Sequence, residues 1–275
     1  MQVSGHLQKM TTRLDQPVSY ELHLDDQVVA LNPLIGSHIE LQFNQQIHCN
    51  NCGRLSKKSF AQGYCYPCFK KLAQCDVCIM SPEKCHFDQG TCRDPAWGES
   101  FCFQDHIVYL ANSSGIKVGI TRGTQVPTRW IDQGATQALP IARVSTRLQS
   151  GLVEVVFKQH VADKTNWRAM LKGEAEPVDL AAKRDELFKL CSAELEELQN
   201  QYGLQAIQLL NDTAPVEINY PVEKYLTKIS SFNLDKNPLV SGVLQGIKGQ
   251  YWIFEDDTVW NVRAHEGHVV SIAVA

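Results

Sequence analysis

The chain has 275 residues, of which 44% are hydrophobic and 20% are charged, with 26 basic residues against 30 acidic ones. This composition is ordinary for a globular protein that buries a core, and the length allows one large domain or two to three smaller ones. Because no apolar run approaches the roughly eighteen residues that span a bilayer, the sequence predicts no transmembrane helix and no membrane partner.

Short segments with alternating polarity open the chain, such as Tyr20–Leu24 and Ile39–Phe43. Their period of two predicts two to four β-strands between Val18 and Phe43. Met1–Asp25 contains no uninterrupted apolar stretch followed by a small-residue cleavage site, so the sequence predicts no export signal. We therefore expect a cytoplasmic protein whose cysteines stay reduced.

Nine of the ten cysteines lie between Cys49 and Cys102, and the first four form two Cys-x2-Cys pairs, Cys49/Cys52 and Cys65/Cys68. A Cys-x2-Cys hairpin turns two thiolates toward one point, and two such hairpins supply the four ligands of a structural zinc site. The alternative is a set of disulfides, which the missing export signal disfavours. We predict a zinc ion held by these four cysteines in a β-rich, zinc-ribbon-like module over residues 1–106.

A second group of cysteines follows, with two histidines nearby: Cys75, Cys78, Cys85, Cys92, Cys102, His86 and His106. Five thiols exceed one tetrahedral site, and the prolines and glycines between them predict a backbone dominated by loops. We expect a second zinc ion here. The spacing leaves the ligand set open; the preferred set is Cys78, Cys85, Cys92 and Cys102, with Cys75 as the alternative, and the histidines are interpreted as structural.

From residue 107 the pattern changes to a compact α/β order over residues 107–174. The predicted elements are a hairpin of Ile107–Leu110 and Ile116–Ile120, a short helix starting at Arg129–Ile131, a third strand at Ile141–Arg147, and a helix over Gly151–Val161 capped by Ser150. Nine basic and only three acidic residues lie between Ile107 and Lys172. This net charge of +6 within a chain of net charge −4 is typical of a module that binds phosphate, although solvated surface cations would give the same count.

The remaining residues, 175–275, predict one long helix and a small β-domain. Apolar residues recur at helical spacing over Asp179–Tyr202, with Asp179 as N-cap, Gly203 as C-terminal stop and Cys191 on the buried stripe. Short β-rich runs follow between residues 243 and 274, which predict a small antiparallel barrel or meander. The expected fold class of the chain is therefore α+β.

The middle segment combines two short strand motifs, Ile107-Val108-Tyr109 and Lys117-Val118-Gly119, with Arg129 ten residues past Gly119 and Glu154 within a predicted helix. This pattern resembles the GIY-YIG nuclease superfamily. That family has Gly-Ile-Tyr and Tyr-Ile-Gly at the two strand positions, followed by an arginine and a glutamate within a helix. The resemblance covers residues 107–171 and implies a small GIY-YIG-like α/β core.

The resemblance also implies roles for these residues in Mg²⁺-dependent cleavage of DNA or RNA. Tyr109 would act as general base or position the water, Arg129 would clamp the phosphate, and Glu154 would hold Mg²⁺. Gly119 would let the backbone pass close to substrate. The further substrate-binding candidates are Arg122, Trp130, Asn166 and Arg168. Trp130 beside Arg129 and Trp167 beside Arg168 suit stacking on unpaired bases, although buried packing under the basic face is the more common role of such tryptophans.

Lys117 departs from the family pattern, since it replaces a tyrosine hydroxyl with a positive charge. The sequence therefore leaves two functions open: a metal-dependent endonuclease, or a non-catalytic module that binds nucleic acid or protein. Tyr109, Arg129 and Glu154 are also compatible with ordinary structural roles. The whole chain further resembles an uncharacterised bacterial family, on the runs Cys85–Arg93 and Trp130–Ala135, which implies no activity.

Overall fold

The fold was analysed in a computed structural model that describes residues 1–173 and 175–275. The strands of these residues are β1 (Gln2–His6), β2 (Thr11–Arg13), β3 (Ser19–Leu24), β4 (Gln27–Ala30), β5 (His38–His48), β6 (Leu55–Ser56), β7 (His106–Asn112), β8 (Ile116–Arg122), β9 (Gln137–Val144), β10 (Ile207–Leu209), β11 (Val216–Glu217), β12 (Ser230–Phe232), β13 (Leu239–Lys248), β14 (Tyr251–Phe254), β15 (Thr258–Asn261) and β16 (His268–Val274). The α-helices are α1 (Tyr66–Lys71), α2 (Val77–Met80), α3 (Pro95–Cys102), α4 (Thr128–Asp132), α5 (Arg147–Phe157), α6 (Trp167–Lys172), α7 (Leu180–Leu190) and α8 (Ser192–Tyr202). These elements confirm the predicted α+β class.

The largest sheet joins the two ends of the chain. Its strand order is β1-β16-β5-β13-β14-β15-β12, with β6 paired to β5, so β5 is hydrogen-bonded on both sides by C-terminal strands. β13, β14 and β15 form the predicted antiparallel meander, but β12 pairs with β15 in parallel and this sheet does not close into a barrel within the described residues. The predicted division at residues 106 and 174 stays a prediction, but its first and third segments share this sheet.

The middle segment forms a second sheet of order β10-β9-β7-β8, with β11 beside β9. The predicted hairpin is present as β7 and β8, and it pairs Tyr109 with Gly119. The short helix, the third strand and the following helix also occur in the predicted order, as α4, β9 and α5. However, α5 begins four residues earlier than predicted, because Thr146 and Gln149 form a capping box; Ser150 is buried inside the helix instead of capping it.

The two faces of the middle sheet pack against different partners. Val108 and Leu110 face a core that includes residues of α5, α7 and α8. Tyr109 and Ala111 point the other way, into a core shared with Trp130 and with the large sheet. This alternation follows from the period of two in a strand. The hairpin therefore lies between a helical layer and the large sheet.

The long C-terminal helix is divided in two. The sequence predicts one helix over Asp179–Tyr202, but Cys191 has φ −103° and ψ 15°, which ends α7 and starts α8. Cys191 is fully buried, as predicted, and Asp179 caps α7 by accepting a hydrogen bond from the Ala182 N–H at 2.9 Å. The bend lets both helices follow the sheet that they cover.

We expect Tyr220→Phe to lower the free energy of unfolding by about 1–2 kcal/mol, because a buried carbonyl would lose its donor. The buried Tyr220 hydroxyl donates to the Ala135 carbonyl at 2.8 Å and thereby links the C-terminal segment to the loop after α4. The measurement is urea denaturation. Tyr66→Phe is the control, because the Tyr66 side chain is 56% exposed. Equal midpoints for the two variants would contradict this account of the junction.

Candidate functional site

The first four cysteines come together at the end of β5. Cys49 lies in the turn between β5 and β6, where the Gly53 N–H donates to the Cys49 carbonyl at 2.8 Å and Gly53 adopts a positive φ of 68°. Cys65 and Cys68 differ from the expected second hairpin: Cys65 is the N-cap of α1, and Cys68 lies in its first turn. Pro67 favours this conformation because its fixed φ suits the start of a helix.

The geometry of these four thiols suits a single metal ion. The sulfur atoms of Cys49, Cys52, Cys65 and Cys68 all lie within 4.8 Å of one another, and those of Cys52 and Cys65 are 3.8 Å apart. Tetrahedral coordination with Zn–S bonds of about 2.3 Å places sulfurs about 3.8 Å apart. All ten cysteines are free thiols. The group therefore has the donors and the spacing of a structural zinc site.

Two thiols of this group, Cys49 and Cys68, have pKa values shifted in opposite directions. Burial alone would raise the pKa of the Cys49 thiol, but hydrogen bonds from the backbone of Cys65, Cys52 and Asn51 lower it to about 6. Burial and hydrogen bonds with Cys52 and Cys65 raise the pKa of Cys68 to about 12. The Cys49 thiolate thus forms readily, whereas Cys68 keeps its proton unless a cation compensates further negative charge.

The second cysteine group surrounds a cavity of about 20 Å³. All four preferred ligands line it: Cys78, Cys85, Cys92 and Cys102. Burial raises the pKa of Cys78 to about 11, and the negative charges of Asp76, Cys85 and Cys102 act in the same direction. Within the described residues, the trio whose ligand atoms lie within 4.8 Å of one another here is Asp76, Cys78 and His86.

The predicted catalytic residues meet at the β7–β8 hairpin. The Tyr109 side chain is fully buried, its hydroxyl donates to Gln133 Oε1 at 3.2 Å, and the positive charge of Arg129 acts on it. Burial raises the pKa of Tyr109, while the positive charge of Arg129 lowers it and the negative charge of Glu154 raises it further. Tyr109 is therefore a protonated phenol that interacts with both Arg129 and Glu154.

Gly119 packs directly against Tyr109. A Cβ atom at Gly119 would lie 2.8 Å from the Tyr109 hydroxyl oxygen and from the ring carbon that carries it. The missing side chain therefore makes room for the Tyr109 ring, and the expected approach of substrate to Gly119 stays a prediction. The register of the hairpin, which sets the two residues opposite each other, explains this packing.

Lys117 and Glu154 are the two charged groups most perturbed by this environment. Lys117 is only 5% exposed, and burial together with Arg129 lowers its pKa to about 8, against the opposing effect of Glu154 and Asp163. Burial raises the pKa of Glu154 to about 7, and Asp163 adds to that increase whereas Lys158 and Lys117 oppose it. Each group is thus displaced toward its neutral form.

Two residues of this polar cluster were missed by sequence reasoning. Gln133 accepts from Tyr109, and Asp163 acts on both Lys117 and Glu154. Asp163 lies near Lys117 because the preceding residue, Ala162, pairs with the edge of β8: the Val118 N–H donates to the Ala162 carbonyl at 2.8 Å. A loop aligned by one backbone hydrogen bond has no periodic sequence signal.

The predicted substrate-binding residues mostly have partners within the protein. Trp130 is 2% exposed and packs edge-on against Tyr109, so it is not free to stack on a base. Arg122 lies 3.9 Å over the Phe101 ring, and Asn166 caps α6 by accepting from the Ala169 N–H. Arg168 remains on the surface, 4.2 Å over the Trp167 ring, which in turn stacks on another aromatic ring.

We expect Cys52→Ser to lower the zinc content of the purified protein by about one ion per chain, because a closed zinc site needs all four ligands. Elemental analysis of the desalted protein measures this content. Cys191→Ser is the matched control, since Cys191 is buried in the hydrophobic core between α7 and α8 and belongs to neither cysteine group. The same zinc content in both variants would refute the assignment of Cys52.

We expect Glu154→Gln to stabilise the protein at pH 8 by on the order of 2 kcal/mol. The folded pKa of about 7 exceeds the ordinary value of 4.5, so the stability associated with neutral Glu154 is complete below pH 4.5 and is lost as pH rises to 7. Glutamine stays neutral, and the gain should vanish at pH 4. Thermal denaturation at both pH values, with the exposed Glu196→Gln as control, tests this; a gain of the same size at pH 4 would contradict it.

Comparison with known proteins assigns the chain to a family but not to an activity. No curated protein and no solved structure gives a significant match. No helix of the described residues is both long enough and apolar enough to cross a membrane. The profile of DUF2797, described as a protein of unknown function, matches residues 36–270 and does not assign the middle segment to the GIY-YIG superfamily. The chain belongs to the DUF2797 family.

Proposed function

We propose that this protein is a zinc-containing nucleic-acid-binding protein whose middle sheet carries a GIY-YIG-like, Mg²⁺-dependent endonuclease site. The observation that carries the proposal is the meeting of Tyr109, Lys117, Arg129 and Glu154 in one polar cluster. These four residues were selected from sequence resemblance alone, and the proposal is supported by the charges of Arg129 and Glu154, each of which acts on both Tyr109 and Lys117.

Burial of charged groups in this cluster lowers the stability of the fold, which supports a functional role for them. Burying charged groups destabilises a protein unless they are fully paired, and here Lys117 and Glu154 both shift toward neutrality. Opposite shifts in neighbouring acids and bases are a feature of sites whose ligands supply the missing charge. A phosphodiester would stabilise the charged form of Lys117, and a divalent cation would stabilise the charged form of Glu154.

The donors of the cluster suit Mg²⁺. Glu154 and the nearby Asp163 offer carboxylate oxygens, which hard divalent cations prefer, and a cation beside Glu154 would offset the burial that raises its pKa. When bound, Mg²⁺ would stabilise negative charge on the phosphate oxygens and lower the pKa of a bound water. Glu154 is therefore proposed as the Mg²⁺ ligand.

The remaining residues would bind and orient the phosphate. Arg129, whose charge acts on Tyr109, has a planar guanidinium that matches two phosphate oxygens. Lys117 adds a second positive charge next to it. Because burial raises the pKa of Tyr109, the phenol is proposed to hold Arg129 and Gln133 in position, which favours the positioning role over that of general base.

A second candidate function is binding without cleavage. It is favoured by the full burial of Tyr109 and the near-full burial of Lys117, which leave the reactive groups little access to a water molecule. In this reading Arg129 and Lys117 bind phosphate, and the zinc-bearing segment contributes to an interaction surface. Both functions predict binding that weakens steeply with salt, since phosphate contacts release counterions.

The discriminating experiment is a cleavage and binding assay on single- and double-stranded DNA and RNA, with and without Mg²⁺ or Mn²⁺. We expect metal-dependent cleavage by the wild type and a loss on the order of 10²-fold or more in Glu154→Ala. Glu196→Ala, an exposed residue of α8, is the matched control and should cleave normally.

The other outcomes separate the two functions. Binding at low salt without cleavage in any variant supports the binding module, and Arg129→Ala should then weaken that binding. Absence of nucleic-acid binding at low salt would refute both functions.

A further inference from the structure

The segment around the second cysteine group lacks a hydrophobic core of its own. Among the described residues, none of those between 49 and 105 belongs to any of the three hydrophobic clusters of the protein. Its elements are short: 3-10 turns at Ala73–Cys75, Pro82–Lys84 and Phe87–Gln89, the four-residue α2 and the eight-residue α3. Helices of this length are not stable alone in water. Some other interaction must hold these pieces together.

The cavity of this segment collects one thiol from each of four pieces. Cys78 lies in α2, Cys85 ends the turn Pro82–Lys84, Cys92 follows the turn Phe87–Gln89, and Cys102 ends α3. A cavity of about 20 Å³ accommodates one water-sized species. Metal ligation by residues from separate pieces is how small segments without a core become ordered.

The two competing donors at this cavity already have partners. The Asp76 carboxylate caps α2 and forms an ion pair with Arg93 at 2.7 Å. His86 Nδ1 lies 2.8 Å from Thr91 Oγ1, and its Nε2 lies 3.5 Å from the Asp76 carboxylate. Asp76 and His86 are therefore engaged in ionic and hydrogen-bonding contacts with other side chains, although their ligand atoms and that of Cys78 lie within 4.8 Å of one another.

The segment rests directly on α5. A Cβ atom at Gly151 would lie 2.5 Å from the Glu83 nitrogen, so the turn Pro82–Lys84 touches the helix backbone. Arg147, the first residue of α5, donates from Nη2 to the Ile79 carbonyl at 2.6 Å. Its Nε is buried and has no hydrogen-bond partner in the described structure, while its charge acts on Cys78 and Cys102.

We propose that Cys78, Cys85, Cys92 and Cys102 bind a second structural zinc ion, and that this centre fastens the cysteine-rich segment to α5 through Arg147. Four thiolates around Zn²⁺ carry a net charge of −2, and the partly buried Arg147 guanidinium, whose charge acts on Cys78 and Cys102, offsets part of it. The orphaned Arg147 Nε has a suitable acceptor in a metal-bound thiolate. Formation of the centre requires the four sulfurs to close on one ion. This inference does not depend on nucleic-acid cleavage.

Metal content tests the ligand set in the full-length protein. We expect two zinc ions per chain in the wild type and one in Cys78→Ser, Cys85→Ser, Cys92→Ser and Cys102→Ser. Cys75→Ser and His86→Ala should keep two, because neither residue is in the proposed set. Should the serine variants fail to fold, Co²⁺ substitution of the wild type provides the second measurement, with charge-transfer absorption per cobalt matching four thiolates at both sites.

Hydrogen exchange tests the connection to α5. Cys92→Ser should accelerate amide exchange in α5, whereas Cys52→Ser, which removes a ligand of the first site, should leave α5 unchanged. Arg147→Gln should accelerate exchange in α5 while keeping two zinc ions. One zinc ion in the wild type, disulfides among the four cysteines, or α5 exchange that is equal in Cys92→Ser and Cys52→Ser would overturn the proposal.

Discussion

The pairing of β5 with strands from the other end of the chain is the constraint on which the rest of the structure depends. Leu41 on β5 faces Val240 of β13 on one side and Ile272 of β16 on the other, and all three are buried. Because β5 runs directly into Cys49, this sheet also fixes where the first metal site begins. The middle sheet then packs against the same core through Tyr109 and Trp130.

The cysteine-rich segment, residues 49–105, differs from its surroundings in how little apolar surface it buries. The two sheets bury apolar side chains, whereas residues 49–105 contribute none to the described hydrophobic clusters. Between the sheets this segment connects β5 to β7, and its contacts with α5 bring it next to the polar cluster. Metal ligation in this segment would thus affect the stability of α5. Glu154 lies one turn of this helix from the contact at Gly151.

Local features of the fold were predictable from sequence, and features set by distant residues were not. The β7–β8 hairpin follows from two apolar runs around a turn, and the cap at Asp179 follows from its position before a helical stripe. The pairing of β5 with β13 and β16 has no local signal, because register between distant strands is decided by packing. The burial of Trp130 has no local signal for the same reason, because it depends on packing against residues of the large sheet.

The same distinction applies to the polar cluster. Spacing and resemblance identified Tyr109, Arg129 and Glu154, but only the fold shows that burial lowers the pKa of Lys117 to about 8 and raises that of Glu154 to about 7. These opposite displacements have a common cause, since burial disfavours the charged form of each group. A bound phosphate would raise the pKa of Lys117 again, and a divalent cation would lower the pKa of Glu154 again. The two ligands would also favour each other's binding, because the negative phosphate and the divalent cation attract each other.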